Sequence, residues 1–182
     1  EEPPRLVGSL REGVRLLLSN DLSLVAYHLP LDRHPELGNA AQLARRLGLV
    51  ELEPFGDYRG SSVGVCGLFP EAVPAEELAE ALEEACDQEP LHFPGRRGMV
   101  SSVGIVTGSA ARDYHLAVAS GLDAFITGEP SEWVMHQAAE DGVHFFAAGH
   151  YATERFGVLA LGRWLSTELG LEVEFVDLPN PV

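Results

Sequence analysis

Along residues 9–19 (SLREGVRLLLS) apolar side chains recur at the three-to-four-residue spacing of a helix, and Asn20-Asp21 closes it. Leu24 to Tyr27 reads as a short buried strand. Pro30 has no amide hydrogen for a ladder, so that strand should stop there. Asp32 is thereby expected on a loop just past a strand's C-terminal end. Residues 40–47 (AAQLARRL) return to helical spacing until Gly48. Val63–Phe69 is a second strand, and a Glu/Ala-rich helix runs from Pro74 to about Cys86, with Pro74 suited to its first turn. A short strand follows between Pro90 and Pro94.

From Met99 the pattern alternates regularly. Strands are predicted at Met99–Val106, Asp123–Ile126, Val143–Ala147 and Glu172–Val176. Helices are predicted between them at 111–120, at Ser131–Glu140 and at Thr153–Leu169. Such alternation predicts an α/β fold: a mostly parallel sheet covered on both faces in an α/β/α layered lobe. Residues 1–49 and 99–182 would form this main lobe. Residues 50–98 would form a smaller α/β lobe inserted into it.

A chain of 182 residues can bury one substantial core or two small lobes sharing one. No apolar run approaches the length of a membrane span, and the start, Glu-Glu-Pro-Pro-Arg, lacks the features of a signal peptide. A cytoplasmic location is the expectation. Twelve basic against twenty-eight acidic residues leave a net charge of −16, which repels phosphate backbones. Nucleic acid is therefore a poor partner. The two cysteines, Cys66 and Cys86, have no CxxC spacing, which argues against zinc ribbons, iron–sulfur sites and disulfide frameworks. Any metal must be held by oxygen and imidazole nitrogen.

Four polar clusters follow predicted strands, and in a parallel sheet strand exits share one edge. In Gly149-His150-Tyr151-Ala152-Thr153-Glu154, His150 and Glu154 lie four apart and would share a helical face once the helix includes His150. Imidazole and carboxylate at that spacing can chelate one divalent ion or bridge two. His28 and Asp32 repeat the spacing, with Asp32 a candidate bridging ligand and His28 a ligand or proton shuttle. Thr107-Gly108-Ser109 forms a small-residue turn whose amides could cradle an oxyanion. It lacks the lysine of a nucleotide-binding loop and a full GxGxxG. Glu129 follows Thr127-Gly128 in the fourth cluster. Each cluster alone has an ordinary structural explanation as a cap, turn or exposed side chain; their coincidence at one edge is what singles them out.

Three segments carry a resemblance: YHLPLDRHPELGNAAQLARRLGL at 27–49, GLDAFITGEPSE at 121–132 and HFFAAGHYATERFGVLAL at 144–161, with the ending FVDLPNPV. Together and in this order they resemble the Nif-three-like family, dinuclear metal-centre hexameric proteins also described as type-2 GTP cyclohydrolase I homologues. The resemblance runs from end to end of the chain. It implies a two-lobed α/β subunit with two divalent ions (zinc, manganese or iron) in a homo-hexameric ring. It also implies Asp32, His150 and Glu154 as metal ligands, with His28, Thr107, Gly108, Ser109 and Glu129 lining the same cleft. Family members carry a preceding segment with a His-His pair that adds two ligands. This chain has no adjacent histidines, so three ligands holding fewer ions is the alternative expectation.

The polar clusters and the resemblance together predict a metal-dependent hydrolase, with His28 as proton-transfer group and Thr107, Gly108, Ser109 and Glu129 contacting substrate; the resemblance implies GTP or a related purine nucleotide as that substrate. The rival expectation is a non-enzymatic metal-binding ring or adaptor. A DNA clamp ranks last, because of the charge.

Overall fold

The computed structural model describes residues 5–180. One six-stranded sheet has the order β1-β2-β4-β5-β6-β3, where β1 is Val50–Phe55, β2 Gly64–Pro74, β3 Leu91–Phe93, β4 Met99–Ile105, β5 Ala124–Thr127 and β6 His144–Ala147. Its centre is parallel, β4 with β5 and β5 with β6, as the strand–helix alternation predicts. The flanks are antiparallel: β1 with β2, β2 with β4, and β3 with β6. The α/β class holds, and the sheet is mixed rather than parallel throughout. Residues 50–98 supply both edges of this same sheet.

Seven helices are present among the described residues: α1 Gly8–Ser19, α2 His28–Asp32, α3 Asn39–Arg46, α4 Ala75–Cys86, α5 Tyr114–Ala119, α6 Val134–Asp141 and α7 His150–Leu169. A single 3-10 turn, Ala111–Asp113, precedes α5. The central strands are apolar on both faces because both faces are covered. Successive side chains point to opposite sides of a strand. Thus Ala124, Ile126, Phe146 and Ala148 join a core with Leu43 of α3 and Leu78 and Leu82 of α4. Phe125, Phe145 and Ala147 join the opposite core, with Tyr114, Val134 and Ala138 of α5 and α6. At the other end of the strands Asp123 is buried, accepting hydrogen bonds from the Ser101 and Ser102 amides at 2.9 and 3.1 Å and pairing with Arg97.

Three sequence expectations change. Leu24–Tyr27 is not a strand: Leu24, Val25 and Tyr27 are exposed and pair with no strand among the described residues. Residues 172–176 likewise stay outside the sheet, with Val173, Phe175 and Val176 exposed. β-Branched and aromatic side chains favour a strand only where a neighbour offers a ladder and a surface to pack on. Asp32, expected on a loop, instead ends the short helix α2. Pro30 falls in its first turn, where a missing amide hydrogen costs nothing.

Candidate functional site

The three parallel strands exit at one edge, and their exits are laced together by backbone hydrogen bonds. The Gly128 and Glu129 amides donate to the Gly108 carbonyl at 2.9 and 3.0 Å, and the Gly149 amide donates to the Gly128 carbonyl at 3.0 Å. Ladder geometry thus continues past β4, β5 and β6 into the turns that carry Ser109, Glu129 and His150. The packing leaves no room for a side chain at Gly128, where a Cβ would come within 2.7 Å of the His150 Cα.

α7 begins at His150, three residues earlier than the spacing alone predicts, so His150 and Glu154 do share a helical face. Glu154 Oε2 lies 3.2 Å from His150 Nε2, and the other ring nitrogen, Nδ1, donates to Glu129 Oε1. Ser109 Oγ donates to Glu129 Oε2 at 3.1 Å, so Glu129 is itself held in place. From the other side α2 presents Asp32, whose Oδ2 is 3.5 Å from His28 Nε2. His28 is 76% exposed and Asp32 only 10%, so the carboxylate lies within the wall and the imidazole stands over it. A cleft of about 770 Å³ is lined by His28, Asp32, Thr107, Ser109, His150 and Glu154, and continues toward Tyr58 and Arg112.

The electrostatics are those of a site with an excess of negative charge. Burial pushes the Glu154 carboxyl above its ordinary value; His150 pulls it down, and the Asp32 carboxylate pushes it up again. Burial would lower the His150 pKa, but the Glu129 hydrogen bond and the Glu154 charge override it and leave it raised. Glu129 is held below its ordinary value, first by the His150 hydrogen bond. Among the described residues no arginine or lysine pairs with Asp32, Glu129 or Glu154; their ionic partners are imidazoles.

All the residues singled out from sequence line or border this cleft, but not in equal roles. Asp32, His150 and Glu154 present donor atoms to it. Among the described residues no three donors already enclose a single point as they would around an ion; His150 is instead gripped by two carboxylates. Imidazole nitrogen and carboxylate oxygen are the donor types that divalent cations accept, so the residues gathered here are chemically compatible with such an ion. A metal-binding imidazole commonly gives its other N–H to a carboxylate, as His150 does to Glu129, leaving one nitrogen for the cation. The Gly108 turn is less open than its composition suggests. Its amide donates to Thr153 Oγ1 at 3.4 Å, and the Ala110 amide donates to Thr127 Oγ1 at 3.3 Å. Sequence reasoning passed over Asn39, which is buried and bonded to Asp32 at 2.8 Å. It directly precedes the predicted helix 40–47, and nothing in its local spacing points to partners as distant as Gly157.

The model of the Duf34/NIF3 (NGG1p interacting factor 3) family matches residues 4–181. The chain belongs to the Duf34/NIF3 family. Relatives named GTP cyclohydrolase 1 type 2 homolog include one from Haemophilus influenzae, 44% identical over 182 residues, which cover 99% of this chain and 72% of the relative. Another, from Vibrio cholerae, is 43% identical, with 100% and 72% covered. Among solved structures, protein ybgI, described as of unknown function, superposes with a TM-score of 0.91 at 42% identity, over all of this chain and 72% of that one. TTHA1606 from Thermus thermophilus superposes with a TM-score of 0.85 at 36% identity, covering 100% and 71%. HcgD from Methanocaldococcus jannaschii shares the fold at 22% identity, with a TM-score of 0.79 over 94% of this chain and 68% of that one. The NIF3-family architecture thus extends over the whole sheet and both helical layers.

Proposed function

We propose that this protein is a divalent-metal-dependent hydrolase acting on a purine nucleotide, with GTP the substrate that its relatives' naming suggests. The observation that carries the proposal is the meeting of Asp32 from α2 with His150 and Glu154 from α7 at one cleft. Among the described residues the ionic partners of these carboxylates are imidazoles. In this reading Asp32, His150 and Glu154 hold zinc, manganese or iron, two ions per subunit where the ligand set is complete. Bound ions would supply a water acidic enough to act as a nucleophile near neutral pH, and positive charge for an anionic substrate.

The chain's own groups have the remaining roles. Glu129 orients the His150 ring through Nδ1. His28, exposed above Asp32, is placed to move a proton between the reacting centre and solvent. Thr107, Gly108 and Ser109 form the floor against which substrate would lie, with the Ser109 hydroxyl tied to Glu129. The cleft as a whole, about 770 Å³ and reaching Tyr58 and Arg112, is of the size of small-ligand sites. We further propose a homo-hexameric ring in the cytoplasm. No helix among the described residues is long and apolar enough to cross a membrane, and the net charge of −16 disfavours nucleic acid as a partner.

The test is turnover of GTP by purified protein supplied separately with Zn²⁺, Mn²⁺ and Fe²⁺, alongside Asp32→Ala. The proposal expects cation-dependent hydrolysis that falls at least about a hundred-fold in the variant, with the assembly unchanged by light scattering. Bound metal without turnover, together with an assembly that falls apart in Asp32→Ala, would instead favour the non-enzymatic ring. Absence of turnover with all three cations removes the nucleotide-hydrolase reading.

A further inference from the structure

Asn39 opens α3 and is buried, yet its side chain makes contacts far from its own helix. Its amide nitrogen donates to Asp32 Oδ1 at 2.8 Å. Its amide oxygen accepts the Gly157 backbone N–H of α7 at 2.6 Å, across 118 residues of sequence. One carboxamide therefore joins the element carrying Asp32 to the helix carrying His150 and Glu154. Because the N–H group must face a carboxylate and the C=O an amide, the flip state of the side chain is settled by its partners.

Residue 157 explains how so close an approach is possible. A Cβ there would lie 2.9 Å from Asn39 Oδ1 and 3.3 Å from the Asn39 backbone nitrogen. Glycine inside a helix costs about 1 kcal/mol relative to alanine, and the docking of the carboxamide is the local feature that requires it. With Oδ1 occupied by Asn39, Asp32 is left with Oδ2, which lies 3.5 Å from His28 Nε2, and both residues line the cleft.

From this geometry we infer that Asn39 is a positioning residue. It restricts Asp32 to presenting one oxygen, Oδ2, to a cation, and it sets the separation of the two ligand-bearing helices through Gly157. This inference rests on the metal site proposed above. A carboxylate ligand free to rotate would lose orientation before each binding event, whereas one already hydrogen-bonded on its outer oxygen does not.

The experiment titrates Mn²⁺ into metal-free wild type, Asn39→Ala and Gly157→Ala by calorimetry, with bound Mn²⁺ counted by electron paramagnetic resonance. Urea unfolding of each metal-free protein is recorded beside it. Both substitutions leave Asp32, His150 and Glu154 chemically intact, and both are expected to weaken Mn²⁺ binding roughly ten- to a hundred-fold, the range for outer-shell partners. A purely structural Asn39 would lower the urea midpoint while leaving Mn²⁺ affinity within about twofold of wild type, and that result overturns the inference. If Asn39→Ala does not fold, Gly157→Ala decides alone, because alanine is itself a good helix former and the three atoms nearest its Cβ all belong to Asn39. Wild type that takes up no Mn²⁺, Zn²⁺ or Fe²⁺ would refute the metal site, and this inference with it; wild type that binds while both variants bind equally well refutes the inference alone.

Discussion

Replacing Gly108 with alanine should separate the stability of this fold from the geometry of its site. Gly108 has φ +69°, and a Cβ there would sit 2.3 Å from Glu154 Oε1 and 3.2 Å from His150 Nε2. The left-handed backbone costs an alanine about 1–2 kcal/mol. The contact with Glu154 must open by about 1 Å to reach van der Waals distance. Glu154 can yield, since its side chain is 27% exposed, so most of the steric conflict should be relieved by swinging the carboxylate off the cleft. Gly121 is the matching control: its φ is also +69°, but nothing lies within 4 Å of its Cβ position. Gly108→Ala and Gly121→Ala should therefore lose similar stability in urea unfolding of the metal-free protein, about 1–2 kcal/mol each. Only Gly108→Ala should weaken Mn²⁺ or Zn²⁺ binding measured by calorimetry, by at least about tenfold, as expected for a ligand displaced by about 1 Å. Equal metal affinities for the two variants would refute the placement of Glu154 as a ligand. A much larger stability loss at Gly108 would show that the carboxylate cannot move aside.

Two further outcomes concern charge within the fold. Burial alone would raise the Asp123 pKa, but hydrogen bonds from the Ser101 amide, Arg97 and Ser102 outweigh it and hold the carboxyl below its ordinary value of 3.8. Ionised Asp123 thus adds stability that is full above about pH 4 and is lost as pH falls through its lower folded value. Asp123→Asn should cost about 1.5–3 kcal/mol in urea unfolding at pH 7, and the gap to wild type should shrink at pH 3; a gap independent of pH contradicts the assignment. His92 behaves in the opposite sense. Burial and the neighbouring His144 lower its pKa, so it stays neutral in the folded state while the unfolded chain takes up a proton. Stability should fall as pH drops below about 6.5, the ordinary histidine value. Phenylalanine at 92 can preserve the stacking on Phe146, now at 4.2 Å between ring centroids, and should flatten the pH dependence of the urea midpoint between pH 7 and 5. An unchanged slope in His92→Phe would exclude this residue as the cause.

Much of the architecture is written locally. The apolar runs around Val103, Phe125 and Phe145, separated by amphipathic helices, suffice to predict a parallel centre, because both periodicities are properties of neighbouring residues. The same local logic places His150 and Glu154 one turn apart and marks the strand exits as the edge where polar side chains gather. Asp32 is expected at that edge as well, but from a strand at 24–27 that does not form; the short helix α2 carries it there instead. What neighbouring residues cannot encode is which surfaces meet. Leu24–Tyr27 has the composition of a strand but finds no ladder, whereas Val50–Phe55, polar at alternate positions and containing Pro54, becomes the edge strand β1 against β2. Pairing depends on a partner far along the chain, not on propensity. Likewise the contact of Asn39 with both Asp32 and Gly157 spans 118 residues in one of its two arms, and only the packing of α3 against α7 brings those atoms within hydrogen-bond reach. The donors are chosen by the sequence one segment at a time; their distances, burial and mutual charge come from the folding of the sheet and its two layers around them.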